Sequence, residues 1–138
     1  MPEAAADGVC ASGTSVVNTV IDIVDDDDAV RMATQLLLRS FGWRARTFSS
    51  AEEYLVALTD SPRPDCLLLD MNMPGMNGAE LLENLMRAHR SVPTIVITGE
   101  RDPALAARAF GAGAMAVLDK PFRDEQLKDS IDRALAFA

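Results

Sequence analysis

The stretch Cys66-Leu67-Leu68-Leu69-Asp70 is an unbroken apolar run that ends on a carboxylate. Pro64 lies just before this run, and the turn-forming residues Met73-Pro74-Gly75 lie just after it. A short apolar run between such breaks is typical of a strand that is buried on both faces of a parallel sheet. The stretch therefore predicts a central strand with Asp70 at its carboxyl end.

Three further strand-like runs lead to polar residues in the same way. Residues 20–24 are followed by Asp25-Asp26-Asp27-Asp28, residues 94–97 by Thr98-Gly99, and residues 115–118 by Asp119-Lys120-Pro121. In an open α/β sheet, ligands bind outside the carboxyl ends of the strands. We therefore expect acids, a hydroxyl and a lysine to meet at one edge of the sheet.

Helical signals alternate with these strands, and residues 43–48 add one more short strand. Capping residues stand ahead of three of the helical segments, at Ser49-Ser50, at Asn77 and at Asp102-Pro103. Apolar side chains at helical spacing predict the buried faces: Val30, Ala33, Leu37 and Phe41; Tyr54, Leu55 and Leu58; Leu81, Leu82, Leu85 and Met86; Leu105, Ala109 and Phe110; Leu127, Ile131, Ala134 and Leu135. Five such units predict an α/β fold, (βα)5, in which a doubly wound five-stranded parallel sheet carries helices on both sides.

The composition is that of one globular domain. The 138 residues are 49% hydrophobic and 25% charged, which is too apolar for a disordered chain. Residues 1–17 consist mostly of small and polar side chains and predict a flexible N-terminal tail. Residues 18–138 predict the folded domain.

Charge, cysteine content and hydropathy limit the partners and the compartment. The net charge of −8 argues against direct nucleic-acid binding by this domain, because such binding favours a basic face. The two cysteines, Cys10 and Cys66, form no CxxC pair and suit a reducing compartment. No stretch approaches the ~20 apolar residues of a membrane span, so we expect a cytoplasmic protein that does not bind membranes.

The predicted cluster of acids needs a positive charge. If Asp25, Asp26 and Asp70 converge, two unit charges ~4 Å apart repel by about 4 kcal/mol at an effective dielectric near 20. Mg²⁺ suits such a site, because it takes oxygen ligands and binds through one or two carboxylates. Lys120 can supply a second positive charge. An aspartate in these surroundings can act as a nucleophile and form an acyl phosphate.

The set Asp25-Asp26, Asp70, Thr98 and Lys120-Pro121 resembles the active site of response-regulator receiver domains, the CheY-like superfamily. The intervals of 45, 28 and 22 residues between Asp25, Asp70, Thr98 and Lys120 fit that family, as does the loop at residues 73–78. The sequence pattern as a whole is similar to that of FixJ-type receivers. The resemblance covers about residues 19–136 and implies a flavodoxin-like sheet with strand order 2-1-3-4-5.

The resemblance also implies roles for the site residues. Asp70 would be the phosphoacceptor, and its donor would be a histidine kinase or a phosphotransfer protein. Asp26, Asp70 and the backbone carbonyl of Asn72 would bind Mg²⁺ directly, and Asp25 would hold it through water. Thr98 and Lys120 would contact the phosphoryl oxygens.

Further properties follow from the same resemblance. The Lys120–Pro121 bond is expected to be cis, and a homodimer through the fourth helix, fifth strand and fifth helix is common in the family. Such a domain is not an enzyme with a separate substrate, since it promotes only its own phosphorylation and dephosphorylation. Many receivers place Tyr or Phe three residues before the lysine, where this chain has Val117. A standard aromatic rotamer switch is therefore not expected.

Two alternatives stay open beside the phosphoacceptor. A phosphatase of the haloacid-dehalogenase type also uses an aspartyl phosphate and Mg²⁺, but it needs a second aspartate where this chain has Asn72. A pseudo-receiver keeps the fold as a phosphorylation-independent binding module, and such proteins usually lose an acid or the lysine. This chain keeps the full set, which favours the phosphoacceptor.

Overall fold

The computed structural model describes residues 18–136, so the predicted tail at residues 1–17 lies outside the described residues. Five strands alternate with five helices: β1 (Val20–Val24), α1 (Asp28–Ser40), β2 (Arg44–Phe48), α2 (Ala51–Ala57), β3 (Cys66–Asp70), α3 (Gly78–Arg87), β4 (Thr94–Thr98), α4 (Pro103–Gly111), β5 (Ala114–Asp119) and α5 (Asp124–Ala136). Within these residues, no helix has the length and hydropathy needed to cross a membrane.

The strands form one parallel sheet in the order β2-β1-β3-β4-β5, which confirms the predicted fold class and strand order. The chain moves outward from β1 to β2 on one side, and from β3 to β5 on the other. The crevice where this direction reverses lies at the carboxyl ends of β1 and β3, which is the usual ligand site of such sheets.

The sheet separates two apolar cores. One core lies under α2, α3 and α4, and the other lies under α1 and α5. Strand β3 serves both, because Leu67 and Leu69 face the first core while Cys66 and Leu68 face the second. Full burial of such side chains contributes about 1.5–3 kcal/mol each, and burial on both faces explains the unbroken apolar run.

The predicted caps are present. The Asn77 side chain accepts a hydrogen bond from the backbone amide of Glu80, and the Glu80 carboxylate accepts one from the amide of Asn77, both at 2.9 Å. Ser50 caps α2, and Asp102 caps α4 with Pro103 as the first helical residue. These caps fix the points at which α2, α3 and α4 leave the sheet edge.

Three residues predicted to lie on buried faces, Ala33, Met86 and Phe110, are exposed instead. The side chains of Met86 and Phe110 are 46% and 48% exposed. The assignment of all three to the buried faces was wrong. The buried face of α3 is centred on Leu82 and Leu85, and that of α4 on Ala106 and Ala109. One residue further along a helix rotates the side chain by about 100°, which turns Met86 and Phe110 away from the core.

Candidate functional site

The three acids predicted to converge do so at the ends of β1 and β3. One carboxylate oxygen from each of Asp25, Asp26 and Asp70 lies within 4.8 Å of the others. Asp25 and Asp70 are each only 7% exposed, whereas Asp26 is on the surface. This arrangement offers a set of hard oxygen ligands, of the kind that Mg²⁺ prefers.

The turn after β1 is held by hydrogen bonds around Asp25. Its carboxylate accepts a bond from the amide of Asp27 at 2.9 Å, and its carbonyl accepts one from Nη1 of Arg31 at 2.7 Å. The amide of Asp25 donates to the carbonyl of Phe48 at 3.1 Å. These contacts hold the acidic turn against α1 and the end of β2.

Asp70 is positioned by the close approach of α3. The amide of Gly78 donates to the carbonyl of Met71 at 3.0 Å. A Cβ atom at position 78 would lie 2.8 Å from the Asp70 carbonyl oxygen and 3.0 Å from Cα of Met71. Glycine is therefore required here because the first turn of α3 packs directly against the backbone that carries Asp70.

Lys120 reaches the same site from the end of β5. Its Nζ lies 3.9 Å from Oδ1 of Asp70, and its backbone amide donates to the carbonyl of Thr98 at 2.8 Å. The Lys120–Pro121 peptide bond is cis, as the resemblance implied. The structure thus brings the predicted lysine to the predicted acids.

Burial, followed by the negative charge of Asp25, raises the pKa of Asp70 to about 6, against the lowering effects of Lys120 and the Asn72 amide. The pKa of Asp25 is also raised, mainly by burial. One lysine therefore does not fully compensate the acids. A divalent cation fits the site because it would lower the cost of keeping these carboxylates ionised.

Thr98 lies at the end of β4 and is 2% exposed. Its hydroxyl oxygen is 3.0 Å from Oδ1 of Asn72 and 2.9 Å from the carbonyl of Glu100, and it accepts a bond from the amide of Glu100 at 3.2 Å. We call this the loop-bound position of Thr98. Sequence reasoning placed Thr98 at the site but did not predict these partners.

A cleft of about 370 Å³ lies over the acids. Its lining joins residues from the ends of β1, β3, β4 and β5: Asp26, Asp27, Asp70, Asn72, Gly99, Glu100 and Lys120. The opening is large enough for a small anionic group to reach the Asp70 carboxylate. Val117 does not line this cleft; like Leu105, it packs against the core under α2, α3 and α4.

Sequence reasoning missed a buried ion pair between β1 and β2. Asp22, which is 1% exposed, accepts bonds from Nε and Nη2 of Arg46 at 2.6 and 3.0 Å and from the hydroxyl of Tyr54 at 2.8 Å. The pKa of Arg46 is raised by its bond to Asp22, and that of Tyr54 is raised by burial. An acid inside an apolar strand, with an arginine in the neighbouring strand, was the available signal.

Comparison with known proteins agrees with this geometry. Residues 21–132 match the family described as the response regulator receiver domain. The response regulator protein TmoT of Ectopseudomonas mendocina is 41% identical over 120 residues, which cover 87% of this chain and 54% of TmoT. The transcriptional regulatory protein FixJ of Rhizobium meliloti (strain 1021) is 39% identical over 114 residues, which cover 83% of this chain and 55% of FixJ. The chain therefore spans about half the length of these relatives.

Solved structures show the same fold. The crystal structure of FixJ-N has a TM-score of 0.81 and 36% identity, with 88% of this chain and 96% of FixJ-N covered. A response regulator receiver protein from Burkholderia phymatum has a TM-score of 0.75 and 40% identity, with 88% and 98% covered. The chain belongs to the response regulator receiver domains of two-component signalling.

Proposed function

We propose that this domain is a phosphoacceptor, which takes a phosphoryl group from a phosphohistidine onto Asp70 in a Mg²⁺-dependent reaction. The observation that carries the proposal is the convergence of Asp25, Asp26 and Asp70, with Nζ of Lys120 at 3.9 Å from Oδ1 of Asp70. Phosphoryl transfer depends mainly on positioning and on compensation of negative charge. The site supplies an oxygen nucleophile and a fixed cation for that chemistry.

The nucleophile is an ionised carboxylate oxygen of Asp70. As this oxygen bonds to phosphorus, the bond between phosphorus and the donor imidazole nitrogen breaks, and that nitrogen keeps the electron pair. The product is an acyl phosphate. Burial and Asp25 raise the pKa of Asp70, and the charge of Lys120 opposes this rise. Lys120 therefore favours the reactive form, and it can afterwards contact a phosphoryl oxygen.

The acids and one carbonyl would hold the metal. Asp26, Asp70 and the Asn72 carbonyl are the proposed direct ligands, and Asp25 would hold the ion through water. Bound Mg²⁺ supplies positive charge for the phosphoryl oxygens. Hydrogen bonds to Asp27 and Arg31 hold Asp25 in place.

Thr98 would signal the arrival of the phosphoryl group. Its hydroxyl carries one proton and contacts Asn72 and Glu100 in the loop-bound position. To donate to a phosphoryl oxygen, the hydroxyl must give up its bond to one of these acceptors. The reaction would then change the β4–α4 loop without any separate substrate being turned over.

The partners follow from the proposed reaction. We propose a histidine kinase or phosphotransfer protein as the donor, and a homodimer through α4, β5 and α5, where Phe110 and Met115 are exposed. The net charge of −8 gives no reason to propose direct nucleic-acid binding by this domain. The cytoplasmic location stays a prediction.

Intact-mass spectrometry after incubation with acetyl phosphate, with and without Mg²⁺, tests the function. We expect the wild type to gain one phosphoryl group only with Mg²⁺, and Asp70→Asn to gain none. Asp60→Asn is the matched control, because Asp60 is exposed, lies in the turn after α2 and is not part of the acidic cluster. If the wild type gains no group from acetyl phosphate or from a phosphohistidine donor, the domain is a pseudo-receiver and the proposal is wrong.

A further inference from the structure

Arg101 forms a bridge from the β4–α4 loop to β5. Its Nε donates to Oδ1 of Asp119 at 3.0 Å, and its Nη2 donates to the carbonyl of Val117 at 3.1 Å. Both charged side chains are about half exposed, at 44% and 57%. Neither Arg101 nor Asp119 lines the cleft over Asp70.

Each end of this bridge is adjacent to a residue of the proposed site. Arg101 follows Glu100, whose amide and carbonyl both contact the Thr98 hydroxyl. Asp119 precedes Lys120, which reaches Asp70. The segment between Thr98 and Asp102 is thus bound at its start by the Thr98 side chain and near its end by β5.

We propose that Arg101 couples Thr98 to β5, and that its bridge to Val117 and Asp119 stabilises the loop-bound position of Thr98. The inference rests on the proposed function, because it concerns how the same site responds to a phosphoryl group. In this proposal, the bond that the Thr98 hydroxyl gives up when it turns to the phosphoryl group is the one to the carbonyl of Glu100. The backbone next to Arg101 then moves, and the bridge is broken.

Because Val117 stands where many receivers have an aromatic residue, another contact must connect Thr98 with β5, and we assign this role to Arg101. Val117 is aliphatic and packs against the core under α2, α3 and α4, so this position has no aromatic ring to change rotamer. The carbonyl of this same residue is the acceptor for Arg101. A contact made in only one of two arrangements shifts the equilibrium between them by its own free energy. Since exposed ion pairs are weak, the bridge acts as a modest bias and not as a lock.

The apparent affinity for beryllofluoride, a tetrahedral analogue of the phosphoryl group, measures this bias. We would titrate it in the presence of Mg²⁺ and follow backbone amide resonances of residues 98–102 and 117–120. Removal of the bridge in Arg101→Ala is expected to tighten the apparent dissociation constant about two- to fivefold. The same variant should show faster amide hydrogen exchange at residues 99–102 before any beryllofluoride is added.

Arg108→Ala is the matched control. Arg108 lies on α4, is 45% exposed like Arg101, and pairs with Glu83 on α3 instead of with β5. We expect its beryllofluoride affinity to equal that of the wild type. Urea unfolding of both variants would check that they are equally well folded.

The outcomes separate the inference from the proposed function. If the wild type binds beryllofluoride but Arg101→Ala binds it equally or more weakly, the coupling role of Arg101 is overturned and the phosphoacceptor function stands. An equal gain in affinity in Arg108→Ala would also overturn the role. The loss of any arginine charge near α4 would then tighten beryllofluoride binding, with or without a bridge to β5. If the wild type binds no beryllofluoride and gains no phosphoryl group, the proposed function itself fails.

Discussion

The carboxylate of Asp70 is buried, and its ionisation there costs free energy. Asp70 is 7% exposed, and burial together with Asp25 raises its pKa to about 6. Because the folded state binds this proton more tightly than the unfolded chain, protonation of Asp70 stabilises the fold below about pH 4, and this stabilisation is lost as the pH rises through about 6. At neutral pH the site is therefore a source of instability that a cation would relieve.

This cost predicts that Asp70→Asn is more stable than the wild type at pH 7.5 in metal-free buffer. Two pKa units correspond to about 3 kcal/mol, so we expect a gain of about 1–3 kcal/mol in the free energy of unfolding. The gain should shrink towards zero at pH 4, where both side chains are neutral. Urea unfolding at the two pH values measures it.

The addition of Mg²⁺ is the control for this prediction. Saturating Mg²⁺ should stabilise the wild type by mass action and narrow the gap at pH 7.5. Asp60→Asn, an exposed substitution, should show little pH-dependent gain. A gap that is the same at pH 4 and pH 7.5 would contradict the electrostatic origin.

At the scale of elements, the start of α3 fixes the distance between that helix and β3. Gly78→Ala would place a methyl group 2.8 Å from the Asp70 carbonyl oxygen, whereas a Cβ at Gly111, the last residue of α4, would meet no atom within 4 Å. Alanine is otherwise better than glycine in a helix by about 1 kcal/mol. The two substitutions should therefore have opposite effects.

We expect Gly78→Ala to lower the free energy of unfolding by about 1–3 kcal/mol and to slow phosphorylation of Asp70, because the strand end must shift. Gly111→Ala should raise stability by about 0.5–1 kcal/mol and leave phosphorylation unchanged. Thermal or urea unfolding and the acetyl phosphate assay measure both. Equal stability of the two variants would show that α3 can move away without cost.

The edge of the sheet depends on the Asp22 ion pair, which joins β1, β2 and α2. Arg46→Leu would leave the Asp22 carboxylate buried with only Tyr54 as a partner. Loss of one member of a buried pair is strongly destabilising, here by about 3 kcal/mol, whereas apolar replacement of the whole group is often neutral. Asp22→Val with Arg46→Leu and Tyr54→Phe should therefore regain most of that loss.

Urea unfolding of the single and triple variants tests this prediction. Tyr54→Phe alone should cost only about 1 kcal/mol, since one neutral hydrogen bond is removed. If Arg46→Leu were as stable as the wild type, the pair would contribute no net interaction and its place in the fold would need another explanation.

At the scale of the whole molecule, two exposed apolar side chains lie on the surface through which we propose a homodimer. Phe110 is 48% exposed on α4 and Met115 is 39% exposed on β5. Arg101 bonds to Val117 and Asp119 of β5, the strand that also carries Met115, and we propose that a change at Thr98 reaches this face through the bridge. We expect phosphorylation to shift this domain from monomer to dimer, and Phe110→Ser to weaken that shift at least several-fold.

Light scattering coupled to size-exclusion chromatography measures the shift. Val56→Ser is the matched control, because Val56 is 75% exposed but lies on α2, away from α4 and β5. A phosphorylated wild type that stays monomeric, or an equal effect of Val56→Ser, would contradict an interface through α4, β5 and α5. The net charge of −8 on each copy should make dimerisation stronger at higher salt.

The sequence by itself determined the alternation of strands and helices, the caps at Ser50, Asn77 and Asp102, and the approach of Asp25, Asp26, Asp70 and Lys120. These features are local: each depends on the period of apolar residues, on a capping side chain, or on a polar residue directly after a strand. The parallel sheet then brings the strand ends together, because every strand points the same way. Family resemblance added the roles of these residues, and those roles are what the experiments above test.

Only the tertiary structure decided the contacts that depend on register and side-chain direction. Asp22 meets Tyr54 across 32 residues of sequence, and Thr98 meets Asn72 across 26. Gly78 packs against the Asp70 backbone, and Arg101 reaches β5. No local sequence pattern predicts either contact. Met86 and Phe110 were misassigned for the same reason, since one residue of rotation separates the buried face of a helix from its exposed face.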